Sequence, residues 1–284
     1  MASLKDLRRR IRSVKSTQQI TKAMEMVAAA KLRRAQARAL AARPYAAKMT
    51  EMLANLSGAA AELDHPLFKV REVKSLALVV VTSDRGLAGA YNTNLIRSAE
   101  HRLRKSPLGS IQLVLVGKKG RDYFRRRKYP VLASHVDLPP EANLEFVRRL
   151  IHDLIGYFTN GTVDRVEVQY TQFISALQRR IVTEVFLPVG GGEAKAAKDS
   201  NAIFEPDAAT IFGELLPRYA TGKLFAALAD SLASEHSSRM IAMGSARKNA
   251  GELVDALTLL RNRLRQATIT KEISEIVGGA EALK

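Results

Sequence analysis

The sequence predicts an α/β domain with a mainly parallel five-stranded sheet, inserted between N- and C-terminal helices that pair as a long antiparallel coiled coil. Three observations lead to this fold class. The N-terminal part of the chain has a heptad pattern, the C-terminal part has another, and in the middle β-rich runs alternate with helical stretches. We expect an N-terminal helix over 1–60, an α/β domain over 74–190, a flexible loop over 191–206 and a C-terminal helix over 207–284. With 284 residues, 46% of them hydrophobic, the chain is long enough to bury a core.

The N-terminal helix follows from steps of three and four residues that run without interruption from Leu4 to Ala60. This seam is polar in one stretch, at Gln18, Thr21 and Glu25. The apolar residues beside that stretch are Ile20, Met24 and Val27. We therefore expect the apolar face of the helix to rotate there. Pro44 lies inside the pattern and predicts a kink near Arg43, because proline removes a backbone hydrogen bond.

The middle of the chain has the pattern of an α/β domain. Its β-rich runs are 76–82, 111–117, 131–136, 163–171 and 181–187. The helical stretches between the earlier runs are about 93–105, 120–127 and 141–158. Strands that alternate with helices predict parallel pairing, whereas the last two runs follow each other directly and predict a hairpin that turns near 175–178.

The C-terminal helix shows the same three-and-four spacing from Met243 to Ala267. Its isolated glycines, at positions 222, 244 and 251, indicate close contact with another helix rather than breaks. Because this helix is longer than its partner, about twenty C-terminal residues are expected to overhang. They are apolar on more than one side, which indicates that another protein covers them.

Charge and composition narrow the function classes. The chain has 45 Lys and Arg against 28 Asp and Glu, a net charge of +17 that favours an anionic partner. Residues 1–50 hold 13 basic and 2 acidic residues, and 101–130 hold 10 basic and 1 acidic. The run Arg125–Lys128 indicates either a solvated surface or a site for an acidic protein or lipid headgroups. Cys is absent, which excludes disulfides, thiolate metal sites and thiol catalysis.

No residue pattern for catalysis, cofactor binding or metal binding stands out. The five His form no metal-ligand pair at helical spacing, and the start of the chain lacks the apolar segment of a signal peptide, which predicts a soluble intracellular protein. The loop 86–89 follows the first β-rich run but lacks the third glycine of a dinucleotide fingerprint. The simpler interpretation of this loop is a tight turn from strand to helix, with a local ion pair between Asp84 and Arg85. A small α/β enzyme that binds a nucleotide at this loop is an alternative.

A basic coiled-coil protein that binds nucleic acid is the other alternative. Against it, no aromatic residue precedes Tyr45 in the basic N-terminal arm, so bases would have nothing to stack on there.

Three separated motifs resemble the gamma subunit of F-type ATP synthase. The segment 16–31 (STQQITKAMEMVAAAK) is similar to the N-terminal helix of that family, and 83–92 (SDRGLAGAYN) to its loop after the first strand. The C-terminal signature is met by Ile269, Thr270, Glu272, Glu275, Gly279 and Ala280. One departure is Ala88, where several members have Cys. The motifs occur in the family's order and span essentially the whole chain.

The resemblance implies a non-catalytic central rotor shaft that couples proton-driven rotation of a c-ring to ATP synthesis or hydrolysis at beta subunits. Its expected partners are three alpha and three beta subunits, an epsilon subunit and the c-ring, with no nucleic acid and no cofactor. It would be peripheral to the cytoplasmic face of the cell membrane and attached through the c-ring. The residues that the resemblance and the overhang assign to partner binding are Lys22, Met24, Arg33, Arg265, Gln266, Ile269, Ile273 and Ile276.

Overall fold

In the order of the chain, two very long helices flank a five-stranded sheet and three shorter helices. The structure is a computed structural model that describes residues 3–55, 65–107, 109–189 and 208–281. The helices are α1 (Leu4–Asn55), α2 (Tyr91–Lys105), α3 (Lys118–Arg126), α4 (Leu144–Thr159) and α5 (Ala208–Glu281). The strands are β1 (Leu76–Val81), β2 (Ile111–Val116), β3 (Val131–His135), β4 (Arg165–Phe173) and β5 (Arg179–Leu187). The fold class predicted from the sequence is thus confirmed.

The sheet has the order β3-β2-β1-β4-β5 and is parallel except for its last strand. The antiparallel pair β4–β5 is the predicted hairpin, and its turn is closed by hydrogen bonds from the backbone N–H groups of Ile174 and Ser175 to the carbonyl of Gln178. The chain runs outward from β1 to β3 and then returns to the other side of β1 for β4. This reversal creates a crevice at the carboxyl ends of β1 and β4, which is where open α/β sheets usually bind ligands.

Strand β1 is buried along its whole length because helices cover both faces of the sheet. Ala77, Val79 and Val81 face a large core formed with α4 and α5. Leu78 and Val80 face the opposite side, where α2 and α3 pack. The helix α5 contributes a stripe at four-residue spacing to the larger core, namely Phe212, Leu216, Ala220, Leu224 and Leu228.

Helices α2 and α3 each begin two residues earlier than the sequence pattern indicated. Gly117 adopts a positive φ of 94° and reverses the chain directly after β2, so α3 starts at Lys118. The carboxylate of Asp84 accepts a hydrogen bond from the backbone N–H of Lys118 at 2.8 Å and caps this helix. The second oxygen of Asp84 accepts a hydrogen bond from the backbone N–H of Leu138 at 2.6 Å. Asp84 thus contacts two backbone N–H groups, and the predicted ion pair with Arg85 is not formed.

Contacts divide the chain into two units. The helical unit comprises the described residues of Met1–Ala28 and Met240–Lys284, and the sheet unit comprises those of Ala29–Arg239. Each long helix contributes to both units, and α1 continues through Pro44 and α5 through Pro217. The kink near Arg43 stays a prediction. The predicted flexible loop 191–206 lies outside the described residues, as do 56–60 of the predicted N-terminal helix.

Candidate functional site: surfaces of the long helices

The helical unit is held by an apolar seam between antiparallel segments of α1 and α5. Serine caps the start of α1, since the Ser3 hydroxyl accepts a hydrogen bond from the backbone N–H of Asp6 at 3.1 Å. Four side chains form the buried contact, and two half-buried ones flank it: Leu7, Ile11, Val254 and Leu257, with Val14 and Leu264. On α1 the heptad positions read from the sequence face the partner helix as predicted. On α5 the prediction is only partly correct: Leu257 is buried, but Leu253 and Leu260 are exposed, and Val254 occupies the seam instead.

The polar stretch of the seam remains in the contact instead of leaving it. Glu25 accepts a hydrogen bond from Arg247 Nε at 2.8 Å, and Thr21 is only 8% exposed. Gly251 lies opposite Gln18, where an added Cβ would come within 2.9 Å of its amide nitrogen. Gly244 faces Glu25 in the same way, at 3.1 Å from Oε1. The prediction that these glycines mark close helix contact is confirmed, and in the sheet unit Gly222 likewise faces Tyr45 at 2.9 Å.

The apolar side chains near residue 20 leave the seam, as predicted, and most of their surface faces solvent. Ile20 and Val27 are 57% and 56% exposed, and Met24 is half-buried. The seam itself stays polar in this stretch, where Glu25 and Gln18 contact α5. The result is an exposed apolar surface on α1, and the predicted contact residue Lys22 is exposed beside it. Arg33, in the sheet unit, is exposed as well.

The C-terminal end of α5 overhangs its partner within the helical unit. Residues 265–279 are all exposed, including Arg265 and Gln266. Ile269, Ile273 and Ile276 are 47%, 56% and 71% exposed. Their spacing of four and three residues places them on one side of the helix together with Val277. The overhang is thus confirmed, but its apolar surface is a single stripe and not the several sides expected.

The crevice at the carboxyl ends of β1 and β4 is filled by polar side chains of α5. Ser231 hydrogen-bonds the hydroxyl of buried Tyr91 at 3.1 Å, and Ser234 donates to the carbonyl of Thr171 at 3.0 Å. Arg239 donates to the carbonyl of Gly86 at 3.2 Å. The loop that offered the nucleotide-binding alternative is therefore anchored to the chain's own helix. The sequence analysis assigned no role in the crevice to these residues, although the polar run 234–239 interrupts the apolar pattern of the helix.

Buried charge in this crevice is arranged around Arg239. Its guanidinium donates to Glu235 Oε1 at 2.6 Å, and both side chains are about one-tenth exposed. Burial raises the pKa of Glu235 above its ordinary value, although the attraction of Arg239 opposes the shift. Burial, together with repulsion from Arg239 and Lys31, lowers the pKa of His236 to about 4. His236 is therefore a neutral side chain at pH 7.

The depressed pKa of His236 predicts a loss of stability in acid. Because the folded pKa is about 4 and the unfolded one 6.5, stability from the neutral ring is complete above pH 6.5 and declines as pH falls toward 4. The decline amounts to about 3 kcal/mol. The variant His236→Gln should flatten this part of the curve of unfolding free energy against pH. The exposed His101→Gln is the control, and an equal acid slope in both variants would contradict the assignment.

Neither a metal centre nor a membrane-crossing element is found in the part of the chain that the structure describes. Within 3–55, 65–107, 109–189 and 208–281, no three His, Asp or Glu side chains gather closely enough to hold a metal ion. In the same ranges, no helix combines the length and apolar character that crossing a bilayer requires. The crevice at the carboxyl ends of β1 and β4 is occupied by the chain's own side chains, and exposed apolar and basic side chains lie on the long helices.

Comparison with known proteins identifies the family. A family model described as ATP synthase matches residues 3–283. The ATP synthase gamma chain of Moorella thermoacetica is 49% identical, and that of Desulforamulus reducens 47%, each with 100% of both chains covered. The chain therefore belongs to the ATP synthase gamma chain family.

Solved structures agree with this assignment. A chain from the central stalk and c-ring structure of the Tetrahymena thermophila mitochondrial ATP synthase is 27% identical, with a TM-score of 0.63 over 80% of this chain and 99% of that one. A chain from the Euglena gracilis mitochondrial ATP synthase has a TM-score of 0.71 over 99% of this chain and 94% of that one, and at 18% identity it supports the fold alone.

Proposed function

We propose that this chain is the central rotor shaft of an F-type ATP synthase. In this role it couples proton-driven rotation of a c-ring to ATP synthesis or hydrolysis at beta subunits, and it contributes no catalytic residue itself. Membership of the gamma chain family is the observation that carries the proposal. The comparisons lend no support to the alternative of a nucleic-acid-binding coiled coil.

The geometry of the helical unit suits a shaft. Glycines opposite Gln18 and Glu25 bring the two helices close together, which keeps the pair thin. The buried Leu and Ile contacts resist separation of the helices. Exposed cations such as Lys22 suit acidic segments of a surrounding protein, because long-range charge attraction tolerates rotation better than shape-matched apolar contact does.

The proposed partners are three alpha and three beta subunits around the helical unit, an epsilon subunit and the c-ring. The membrane association is peripheral, on the cytoplasmic face, and runs through the c-ring. Lys22, Met24 and Arg33 would face lower segments of the beta subunits. The stripe Ile269–Ile273–Ile276 would lie in an apolar sleeve formed by other subunits.

Co-expression with alpha and beta subunits tests the proposal. We expect one copy of this chain in a seven-chain particle that hydrolyses ATP, as measured by native mass spectrometry and an ATPase assay. A particle of alpha and beta subunits that excludes the chain, or that turns over at the same rate without it, would contradict the shaft role.

Replacement of Arg265 and Gln266 tests the proposed contact with a beta-subunit loop directly. Both are exposed at the base of the overhang, so replacing them together with alanine should leave the free chain folded. Loss of a charge-assisted hydrogen bond to a beta-subunit loop should lower ATPase activity or assembly by about tenfold. The matched control is the exposed pair Asn249→Ala and Arg263→Ala, for which no partner contact is assigned. Unchanged activity and assembly in the first variant would refute the assigned contacts.

A further inference from the structure

A cluster of cations lies where α2 and α3 end, at the amino edge of the sheet. Both helices begin at the carboxyl edge, directly after β1 and β2, and therefore finish together at the opposite edge. The cluster, here called the basic ledge, consists of Lys105, Arg125, Arg126, Arg127 and Lys128, all exposed. It accounts for half of the basic residues in the segment 101–130.

One acidic residue joins the two helices beneath the ledge. Glu100 accepts hydrogen bonds from the hydroxyls of Tyr123 and Tyr129, at 3.0 and 3.3 Å, and from Arg104 at 3.0 Å. Glu100 is only 14% exposed at its side chain and has three donors, so it does not neutralise the cations outside it. It fixes the end of α2 against the end of α3 and thereby holds the ledge together.

The ledge cations make no direct ion pair at their own surface. The side chains of Lys105, Arg125, Arg126 and Lys128 form no hydrogen bond and no ion pair with any residue that the structure describes. Arg127 stacks over the ring of Tyr123 at 3.7 Å from its centroid. The nearby acid Asp122 is bound by Arg121 at 2.9 Å. Exposed cations that lack internal partners are free to attract an external anion.

The composition of this surface favours a lipid surface over a protein partner. Protein interfaces have an apolar centre, but no large apolar side chain among the described residues of 91–131 is exposed. Clusters of four to eight Lys and Arg at one surface are typical of segments that bind anionic lipids. Two tyrosines, Tyr123 and Tyr129, are half-buried beside the cations, as is common at the level of lipid headgroups.

We propose that the basic ledge binds the headgroups of anionic lipids, as a membrane contact of this chain's own in addition to any contact made through other subunits. The attraction is electrostatic, so it adds up over the exposed cations and weakens with salt. It requires no other subunit, and its test is therefore separate from the assembly experiments.

The test is flotation of the full chain with vesicles at 0.15 M salt. The vesicles contain phosphatidylcholine alone or with 30 mol% phosphatidylglycerol. We expect binding to the anionic vesicles only, and a loss of at least about 20-fold in the partition coefficient for Lys105→Gln, Arg125→Gln, Arg126→Gln and Lys128→Gln combined. The matched control replaces four exposed cations of α1 by glutamine, at Arg8, Arg9, Arg10 and Arg12, and should change partitioning by less than about threefold.

The outcomes separate local binding from net charge. Equal losses in the two variants would show that only the total charge matters and would overturn the proposal. Equal binding to neutral and anionic vesicles, or no binding to anionic vesicles at this salt concentration, would overturn it as well. Unfolding midpoints of the two variants within about 2 °C of the parent chain show that a loss of binding is not a loss of folding.

Discussion

Replacing Gly117 with alanine is expected to cost the sheet unit about 4 kcal/mol of unfolding free energy. The residue has a φ of 94°, and an added Cβ would lie 2.4 Å from the carbonyl oxygen of Thr82. Thr82 is fixed in place, since its hydroxyl donates to the carbonyl of Val116 at 2.8 Å and accepts from the backbone N–H of Gly120 at 2.9 Å. Neither residue 117 nor Thr82 can move away from the other without breaking hydrogen bonds between β1, β2 and α3.

Two other glycines serve as controls in the same denaturant titration. Gly109 has a similar φ of 83° but has open space around it, so Gly109→Ala should cost only about 1 kcal/mol, from backbone strain. Gly156 is in the middle of α4 with no atom near its missing Cβ, and Gly156→Ala should stabilise by roughly 0.5–1 kcal/mol. Equal losses at positions 117 and 109 would contradict the role assigned to the contact with Thr82.

Removal of the last twenty residues, 265–284, is expected to leave the free chain folded and to weaken the rotary complex. The unfolding midpoint of the free chain should change by about 1 °C or less, because residues 265–279 are exposed and support no buried contact. Three exposed isoleucines are lost, and each would contribute roughly 1.5–3 kcal/mol if a partner buried it fully. The complex should therefore dissociate at least about tenfold faster and deliver less torque.

A second variant shows whether the effect of shortening comes from the lost length of the helix or from the lost apolar side chains. The triple variant Ile269→Ser, Ile273→Ser and Ile276→Ser keeps the overhang but removes its stripe, and it should dissociate nearly as fast as the shortened chain. If both variants assemble and turn as the parent does, no partner covers the stripe. A large fall in the midpoint of the shortened free chain would instead show that the overhang supports the fold.

Features with a local period were predictable from the sequence. Heptad spacing identified the seam that contains Leu7 and Ile11, because each seam position repeats every three or four residues whatever the partner is. The alternation of β-rich and helical runs predicted the parallel sheet and its final hairpin. Glycines inside a helical pattern predicted the close contact at Gly251, because a helix accepts glycine at a cost that close packing can offset.

The tertiary structure alone decided how the polar residues of these helices are satisfied. Glu25 stays in the seam because Arg247, 222 residues away, donates to it, and that contact leaves Ile20 exposed. Arg239 fills the crevice of the sheet because the carbonyl of Gly86, 153 residues away, lies within its reach. Burial of a polar group depends on a partner that the fold brings close, and distance in space is not encoded in any local pattern of the chain.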